Sequence, residues 1–385
     1  MSPMPPCHAS LWPNERQALV LRAAVGETEE ARAAFAALIG SVDLERHDVF
    51  DHGTFRLLPL LYDRMHRLGV RHPVMARLKG IYRRAWYANH RLFHATGPII
   101  AAIEAAGIQT MLLKGAPLLI DYYRNYALRP MSDIDVVVRP ETVGDAVTVL
   151  RRLGLTRIDT AHDDDLKYRH AMLFRDASGT EIDLHWHFMF EACNDAADAA
   201  LWDGARPLDF AGVATRQPDP ALALVLIVIH GMRFNPMPPV RWIPDALAII
   251  RGARDELDWQ RLTDFARAQK ISYRLGLGLR HLATEWHAPV PEQVFRTLDT
   301  AGLSLRERIE NTIVFRDIDR LFADPVTKQW VIFADYCRAV PTRDPLKFLV
   351  GLSHYMRYRW RVGSRRDILI QSFRGVARRF HRQPA

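Results

Sequence analysis

The sequence predicts an α+β protein in which a small β-sheet domain lies between two helical regions. Apolar residues recur at helical spacing as far as Gly107, short extended runs follow, and helical spacing returns from about Pro220. We therefore expect an N-terminal helical region over residues 1–107, an α/β core over 108–215 and a C-terminal helical region over 216–385.

Composition sets the class of protein. The 385 residues are 49% hydrophobic, which is enough for a sizeable core and excludes disorder as the global state. The three cysteines, Cys7, Cys193 and Cys337, are too few and too widely spaced for a disulfide framework or a four-thiolate zinc site. We therefore expect a reducing, cytoplasmic setting.

Nothing in the sequence indicates a membrane segment. The first ten residues lack the basic flank and apolar stretch of a secretory signal. The longest apolar run, residues 221–229, is far shorter than the roughly 20 residues that span a bilayer. We expect a soluble protein with no membrane partner.

The charge balance is basic, with 52 Lys and Arg against 44 Asp and Glu, a net charge of +8. Arginine suits phosphate because its planar fork makes paired hydrogen bonds, but an arginine-rich composition can equally reflect genomic base composition. The basic stretch at 374–382 is either a nucleic-acid contact or a frayed helix. Charge alone therefore leaves nucleic-acid binding open.

The N-terminal region carries amphipathic stretches that predict four or five helices. These stretches cover residues 29–39, 52–68 and 75–106. Breaks are expected at Gly26, Pro73 and Gly107. In the C-terminal region, the clearer helices are predicted at 221–231, 243–251, 259–268, 273–286 and 303–322.

The predicted core begins with a strand-to-helix turn. Residues 108–113 are a short apolar strand, Lys114 and Gly115 follow, and residues 116–123 have a helical pattern. Turns of this kind present backbone N–H groups at a helix start, where phosphates bind.

Further strands follow along the core. Residues 132–138 form a β-branched run that contains Asp133 and Asp135. After it we expect a helix at 142–153, a strand at 155–159 and a hairpin of 170–175 with 180–188. On the second hairpin strand, Glu181, Asp183, His185 and His187 share one face, and the alternate residues are apolar.

The pair Asp133 and Asp135 is the first candidate for chemistry. The strand repeat puts both carboxylates on one face with Cα atoms about 7 Å apart. Such side chains can hold two divalent cations, as in nucleotidyl transfer, and magnesium prefers oxygen ligands. The alternative is a solvated strand face whose charges discourage aggregation. The apolar residues around the pair favour a buried strand, where unpaired carboxylates are costly.

Three motifs carry a resemblance to a known family. They are Leu-Leu-Lys-Gly at 112–115, Arg-Pro-Met-Ser-Asp-Ile-Asp-Val-Val-Val at 129–138, and Glu-Ile-Asp-Leu-His-Trp at 181–186. Over residues 109–188 the chain resembles the uncharacterised bacterial nucleotidyltransferase family of the DNA polymerase β superfamily. The resemblance implies a small mixed sheet with packed helices and three magnesium-binding acids, Asp133, Asp135 and Asp183. For Asp183 the resemblance implies that it helps ligate the metal that activates the acceptor hydroxyl.

The nucleotide-binding turn departs from the wider superfamily, where Gly-Ser or Gly-Gly precedes the acidic pair. Here Lys114 and Gly115 take that place. Gly115 would let a triphosphate approach the backbone and Lys114 would add a charge, while Arg129 and Ser132 are further nucleotide-binding candidates. The alternatives are a solvated Lys114, a glycine that only caps a turn, and an Arg129 engaged in a surface ion pair.

Together these features predict a nucleotidyltransferase with two Mg²⁺ ions. It would move a nucleoside monophosphate from a nucleoside triphosphate to a hydroxyl of an acceptor and release pyrophosphate. The alternatives are a catalytically silent protein of the same fold that binds RNA or a protein, and a toxin-like enzyme that modifies transfer RNA. Small-molecule, peptide, protein and RNA acceptors, the base preference and the oligomeric state all stay open.

Several other polar residues have an ordinary explanation beside a functional one. His185 and His187 suggest zinc, but a polar wall beside the active site is the simpler interpretation. The acidic run at 162–165 fits a solvated loop, and His230 fits a buried, hydrogen-bonded histidine. Asp245 either lines the cleft or pairs with Arg241.

Overall fold

The computed structural model describes residues 11–41, 50–158, 169–233, 239–300 and 344–360, with isolated residues between 302 and 366. The acidic run at 162–165, the basic stretch at 374–382 and most of the predicted helix at 303–322 lie outside the described residues.

Five helices precede the sheet in the described part of the chain, in agreement with the prediction. They are α1 (Glu15–Val25), α2 (Thr28–Ser41), α3 (His52–Phe55), α4 (Leu58–Arg67) and α5 (Val74–Ala105). The first turns of α1 and α3 are capped by side chains that accept backbone N–H groups. The Asn14 side chain accepts the Gln17 backbone N–H at 2.9 Å, and the Gln17 side chain accepts the Asn14 N–H at 3.0 Å. The Asp51 side chain accepts the Thr54 N–H at 3.0 Å.

The central sheet has five strands and is mixed, as predicted. Its strands are β1 (Met111–Leu113), β2 (Asp133–Val137), β3 (Thr156–Arg157), β4 (Ala171–Arg175) and β5 (Glu181–His185). The spatial order is β1-β2-β5-β4-β3. β2 and β5 run parallel, and the other neighbours are antiparallel. The strands are shorter than the sequence pattern indicates, because apolar runs continue into the adjoining turns.

In the described residues, two of the connections between these strands contain a helix. After β1, the single turn α6 (Gly115–Pro117) continues as a π-helical segment, Leu118–Tyr123, which ends at Arg124 in the left-handed conformation. The helix predicted at 116–123 is therefore present, but with the wider hydrogen-bond pattern. Between β2 and β3 lies α7 (Val143–Arg152).

A second, two-stranded sheet was not predicted. After α8 (Asp195–Asp203), strands β6 (Arg206–Phe210) and β7 (Val213–Gln217) form an antiparallel hairpin. Its turn consists of Ala211 and Gly212, with φ of 54° and 81°. Because alanine seldom adopts positive φ, the residue pair gives only a weak turn signal.

Six helices follow in the described residues. They are α9 (Pro220–Gly231), α10 (Trp242–Ala253), α11 (Trp259–Ala268), α12 (Ser272–Trp286), α13 (Glu292–Thr300) and α14 (Pro345–Trp360). The apolar run at 221–229 lies within α9, which is buried on almost every side. Among the described residues, no helix combines the length and apolar character needed to cross a membrane.

The two faces of the sheet pack against different helices. Ile134 and Val136 of β2 point into a core shared with Ile100 of α5 and Leu150 of α7. Val137, which points the other way, packs in the core formed by the N- and C-terminal helices. The division into regions at residues 107 and 215 stays a prediction.

Candidate active site

The carboxylates of Asp133, Asp135 and Asp183 lie on one face of two adjacent strands. Asp133 and Asp135 alternate with buried Ile134 along β2. In the parallel pairing of β2 with β5, Asp135 lies directly beside Asp183. Because paired residues of neighbouring strands point to the same side, the three acids share a face. β5 is positioned this way because its alternate residues, Ile182 and Leu184, are buried in the core.

Two basic side chains contact Asp135. Lys114 Nζ donates to Asp135 Oδ1 at 2.5 Å. His185 Nε2 lies 3.2 Å from the same oxygen and 3.0 Å from Asp183 Oδ2. One ligand atom each from Asp135, Asp183 and His185 lie within 4.8 Å of one another. Lys114 is therefore not a solvated lysine at a strand end, and His185 belongs to the acidic cluster.

The acids of this cluster differ in electrostatic environment. Burial, followed by the charges of Asp135 and Asp183, raises the pKa of Asp133. Burial would also raise the pKa of Asp135, but Lys114 and His185 outweigh it and lower that pKa. Burial would lower the pKa of His185, but Asp183 and Asp135 raise it above the ordinary value. The cluster thus has one well-neutralised carboxylate, Asp135, and one, Asp133, that resists ionisation.

Gly115 lies where the turn meets the loop before β2. A Cβ atom at this position would come within 2.5 Å of Met131 Sδ and 2.7 Å of Arg129 Nη1. Any side chain here would force Met131 or the ion-paired Arg129 to move. Lys114, just before it, has a positive φ of 48°, a strained conformation for a lysine. The turn and the loop are therefore packed tightly together beside the carboxylates.

Arg129 occupies a buried ion pair. Its Nε lies 3.0 Å from both carboxylate oxygens of Asp245, and its Nη2 is 3.0 Å from Oδ2. The side chains are 6% and 3% exposed, and Tyr123 donates to Asp245 Oδ1 at 2.9 Å. Burial would lower the pKa of Arg129, but Asp245 raises it. The ion pair considered for Arg129 exists, but it is buried rather than on the surface.

The suggested pair of Asp245 with Arg241 is wrong. Arg241 Nη1 instead donates to the carbonyl oxygen of Pro130 at 2.6 Å. The carboxylate of Asp245 accepts from Arg129 and Tyr123 instead. Ser132, in contrast, is exposed, and its hydroxyl donates to Asp133 Oδ1 at 3.3 Å.

Two further residues at the site were not found from the sequence. Asn89, fully buried on α5, donates to the carbonyl oxygens of Tyr126 (2.6 Å) and Arg129 (2.9 Å) and accepts the Met131 N–H at 3.1 Å. Burial lowers the pKa of Arg56, whereas the charge of Asp133 raises it. Both residues come from the N-terminal helical region, whose local pattern carries no sign of these distant partners.

Comparison of the sequence with models of known protein families identifies the family to which the chain belongs. A family profile described as "Uncharacterised nucleotidyltransferase" matches residues 54–287. The chain belongs to this uncharacterised nucleotidyltransferase family. No curated protein matches the chain.

The solved structures that resemble this member of the nucleotidyltransferase family weakly include the following two. The antibiotic-resistance factor ANT(2'')-Ia is 16% identical, with 52% of this chain and 97% of that chain covered and a TM-score of 0.34. An antigenic nucleotidyltransferase-like protein from Paracoccidioides brasiliensis is 14% identical, with 56% and 95% covered and a TM-score of 0.36.

The donor set of this nucleotidyltransferase-family chain suits a divalent cation. Carboxylate oxygens are the ligands that magnesium prefers. The convergent group of Asp135, Asp183 and His185 supplies two carboxylates, and Asp133 adds a third on the same face. The raised pKa of Asp133 reflects burial together with repulsion among these acids, which a bound cation would relieve.

The other two histidines considered from the sequence, His187 and His230, contact residues outside the acidic cluster. His187 Nδ1 lies 2.6 Å from Asp198 Oδ2, so the two histidines that suggested zinc have different partners. His230 contacts Arg233 at 3.1 Å, and burial is the main cause of its lowered pKa. His230 is thus hydrogen-bonded, as expected, but it is only partly buried.

Proposed function

We propose that the protein is a magnesium-dependent nucleotidyltransferase. It moves a nucleoside monophosphate from a nucleoside triphosphate to a hydroxyl of an acceptor and releases pyrophosphate. One observation carries the proposal. In a chain of the nucleotidyltransferase family, three carboxylates from two parallel neighbouring strands share a face beside Lys114.

Asp133, Asp135 and Asp183 are the proposed ligands of two Mg²⁺ ions. When bound, the ions neutralise charge at the transferring phosphate and on the leaving pyrophosphate. Asp135 is held in its ionised form by Lys114 and His185. Asp183, on the neighbouring strand, completes the ligand set and orients the incoming hydroxyl.

The triphosphate is assigned to the basic groups around this face. Lys114 adds a positive charge, and the exposed Ser132 hydroxyl offers a hydrogen bond beside Asp133. Gly115 keeps the turn close to the loop that leads to the acids. Arg56, which interacts electrostatically with Asp133, supplies a further cation.

Arg129 has a different role in this proposal from the one that the sequence suggests. Its guanidinium is engaged by Asp245 and is almost fully buried. We therefore assign it to positioning the loop before β2, and Asn89 assists by binding the backbone of the same loop.

In the reaction, the acceptor oxygen forms a bond to the α-phosphorus as the bond to the bridging oxygen breaks. Pyrophosphate leaves with that electron pair, and the hydroxyl proton passes to solvent. The positive groups are already in position before the reaction, and they stabilise the negative charge that develops on the phosphate oxygens in the transition state. In most enzymes of this kind, such stabilisation is the largest contribution to the rate enhancement.

The test uses nucleoside triphosphates labelled at either the α- or the γ-phosphate, with magnesium and a cell extract. We expect the α-label, but not the γ-label, to appear on an acceptor fraction. Asp133→Asn and Asp183→Asn should each lower this transfer at least about 100-fold. Asp145→Asn, an exposed acid on α7, is the matched control and should transfer as the wild type does. Equal transfer by Asp133→Asn would refute the proposal.

The same experiment separates the alternatives. A silent binding protein would transfer no label and would show no magnesium-dependent affinity for nucleotides. A toxin-like enzyme would place the label on transfer RNA. Digesting the labelled fraction with ribonuclease or with protease identifies the class of acceptor.

A further inference from the structure

One half of α5 presents a basic surface to solvent. Its exposed residues include Lys79, Arg83, Arg84 and Arg91 together with the rings of Trp86 and Tyr87, and we call these six the basic face. At about 100° per residue they fall within an arc of about 160° and extend roughly 18 Å along the helix. No acidic residue occurs between Val74 and Ile103.

The cations of the basic face have no acidic partner among the residues that the structure describes. Within the part of the chain that the structure describes, Lys79, Arg83, Arg84 and Arg91 form no ion pair. Other surface arginines do, as Arg280 does with Asp299. Four neighbouring positive charges repel one another, so an anionic partner would stabilise this face.

The two aromatic rings are unusually exposed for their size. Trp86 is 47% exposed and Tyr87 is 65% exposed. Trp86 contacts His90 at a ring-centroid distance of 4.0 Å, and His90 stacks on Tyr126 at 4.2 Å with the rings 21° apart. The Trp86–His90 contact is tilted, with the rings 51° apart, and it supports Trp86 without burying its outer surface. An exposed, held indole is a suitable platform for another planar ring.

We propose that the basic face of α5 binds single-stranded nucleic acid. Its four cations, spread over roughly 18 Å of helix, can contact several backbone phosphates, and its rings can stack on unpaired bases, which alone offer their faces. An acidic peptide would use the cations but leave the rings unexplained. A duplex would hide its bases from Trp86 and Tyr87. This inference goes beyond the proposed function, because none of the six residues of the basic face is among those assigned to the metal ions or the triphosphate.

Fluorescence anisotropy with a labelled 12-nucleotide single-stranded RNA, its DNA equivalent and the RNA duplex tests the proposal. The full chain is titrated with each probe at several salt concentrations. With four phosphate contacts, the logarithm of the affinity should fall with the logarithm of salt with a slope of about −3. Arg83→Ala/Arg91→Ala should reduce this slope to about −1.5.

Controls separate specific stacking from general attraction. Arg267→Ala/Arg296→Ala removes the same charge from exposed positions on α11 and α13 and should bind as tightly as the wild type. Trp86→Ala should weaken single-strand binding about tenfold, and Trp86→Phe should restore most of it. Circular dichroism confirms that each variant is folded.

Three results would overturn the proposal. The first is no binding of either single strand at low salt. The second is equal weakening by the control pair, which would mean that net charge alone attracts the probe. The third is unchanged affinity in Trp86→Ala together with equally tight binding of polyglutamate or of the duplex. Preference for RNA over DNA, or the reverse, identifies which nucleic acid the face selects.

Discussion

The buried pair of Arg129 and Asp245 gives a prediction whose size follows from its geometry. Replacing Arg129 by Met leaves Asp245 buried, at 3% side-chain exposure, with only Tyr123 as a partner. Replacing Asp245 by Leu leaves an isolated guanidinium in the same place. Each single change should lower the free energy of unfolding by about 3–5 kcal/mol, because a buried charge loses its partner.

The double variant Arg129→Met/Asp245→Leu should cost less than either single variant. With both charges gone, what remains is mainly the lost hydrogen bond of Tyr123, about 1 kcal/mol, and imperfect packing. Urea-induced unfolding followed by circular dichroism and by tryptophan fluorescence measures these values, provided that the two transitions coincide.

Additive losses in the double variant would refute this reasoning, as would a single variant as stable as the wild type. The double variant also separates two roles of Arg129. If Arg129 only positions the loop, a double variant with restored stability should keep most of its affinity for tripolyphosphate. If Arg129 binds phosphate directly, affinity should fall although stability is restored.

Three further predictions concern the same site. Asn89→Ala removes three hydrogen bonds to the loop, one of them fully buried and two partly buried, and should lower the free energy of unfolding by about 2–3 kcal/mol, measured in urea. Arg56→Ala should weaken binding of tripolyphosphate about tenfold by calorimetry, whereas Arg267→Ala should not. The raised pKa of His185 means that its stabilising contribution is complete below pH 6.5 and is lost as the pH rises through the folded-state value. With a chelator present to remove metal ions, the melting temperature of the wild type should therefore fall more than that of His185→Gln as the pH rises above 6.5.

Each of these predictions has an outcome that contradicts it. Wild-type stability in Asn89→Ala would mean that the loop is held by other contacts. Unchanged tripolyphosphate affinity in Arg56→Ala would remove this residue from the proposed phosphate site. Parallel pH profiles for the wild type and His185→Gln would show that the histidine is not coupled to the acids.

Local patterns predicted the parts of the site that depend on one strand. The two-residue repeat puts Asp133 and Asp135 on one face, and the apolar residues between them identify a buried strand. The family resemblance supplied two further predictions, the mixed sheet and the role of Asp183 as a metal ligand. The structure adds that β5 lies directly beside β2 in parallel register.

Contacts between distant residues could not be predicted in the same way. Arg129 and Asp245 are 116 positions apart, and nothing in the pattern of either segment specifies the other. Asn89 lies within a helix, where an asparagine has no local signature of the loop that it binds. His185 was predicted to lie in the polar wall, but its contact with two carboxylates depends on strand order. The unpredicted hairpin of β6 and β7 turns at Ala211, which gives little local signal.

The most direct test of the three-carboxylate site counts the cations that it binds. Mn²⁺, which also accepts oxygen ligands, can be titrated and followed by electron paramagnetic resonance with an α,β-methylene nucleoside triphosphate analogue present. The account predicts two bound ions per chain in the wild type and in Asp145→Asn, and a marked loss in Asp183→Asn. Equal numbers and affinities in all three proteins would contradict it.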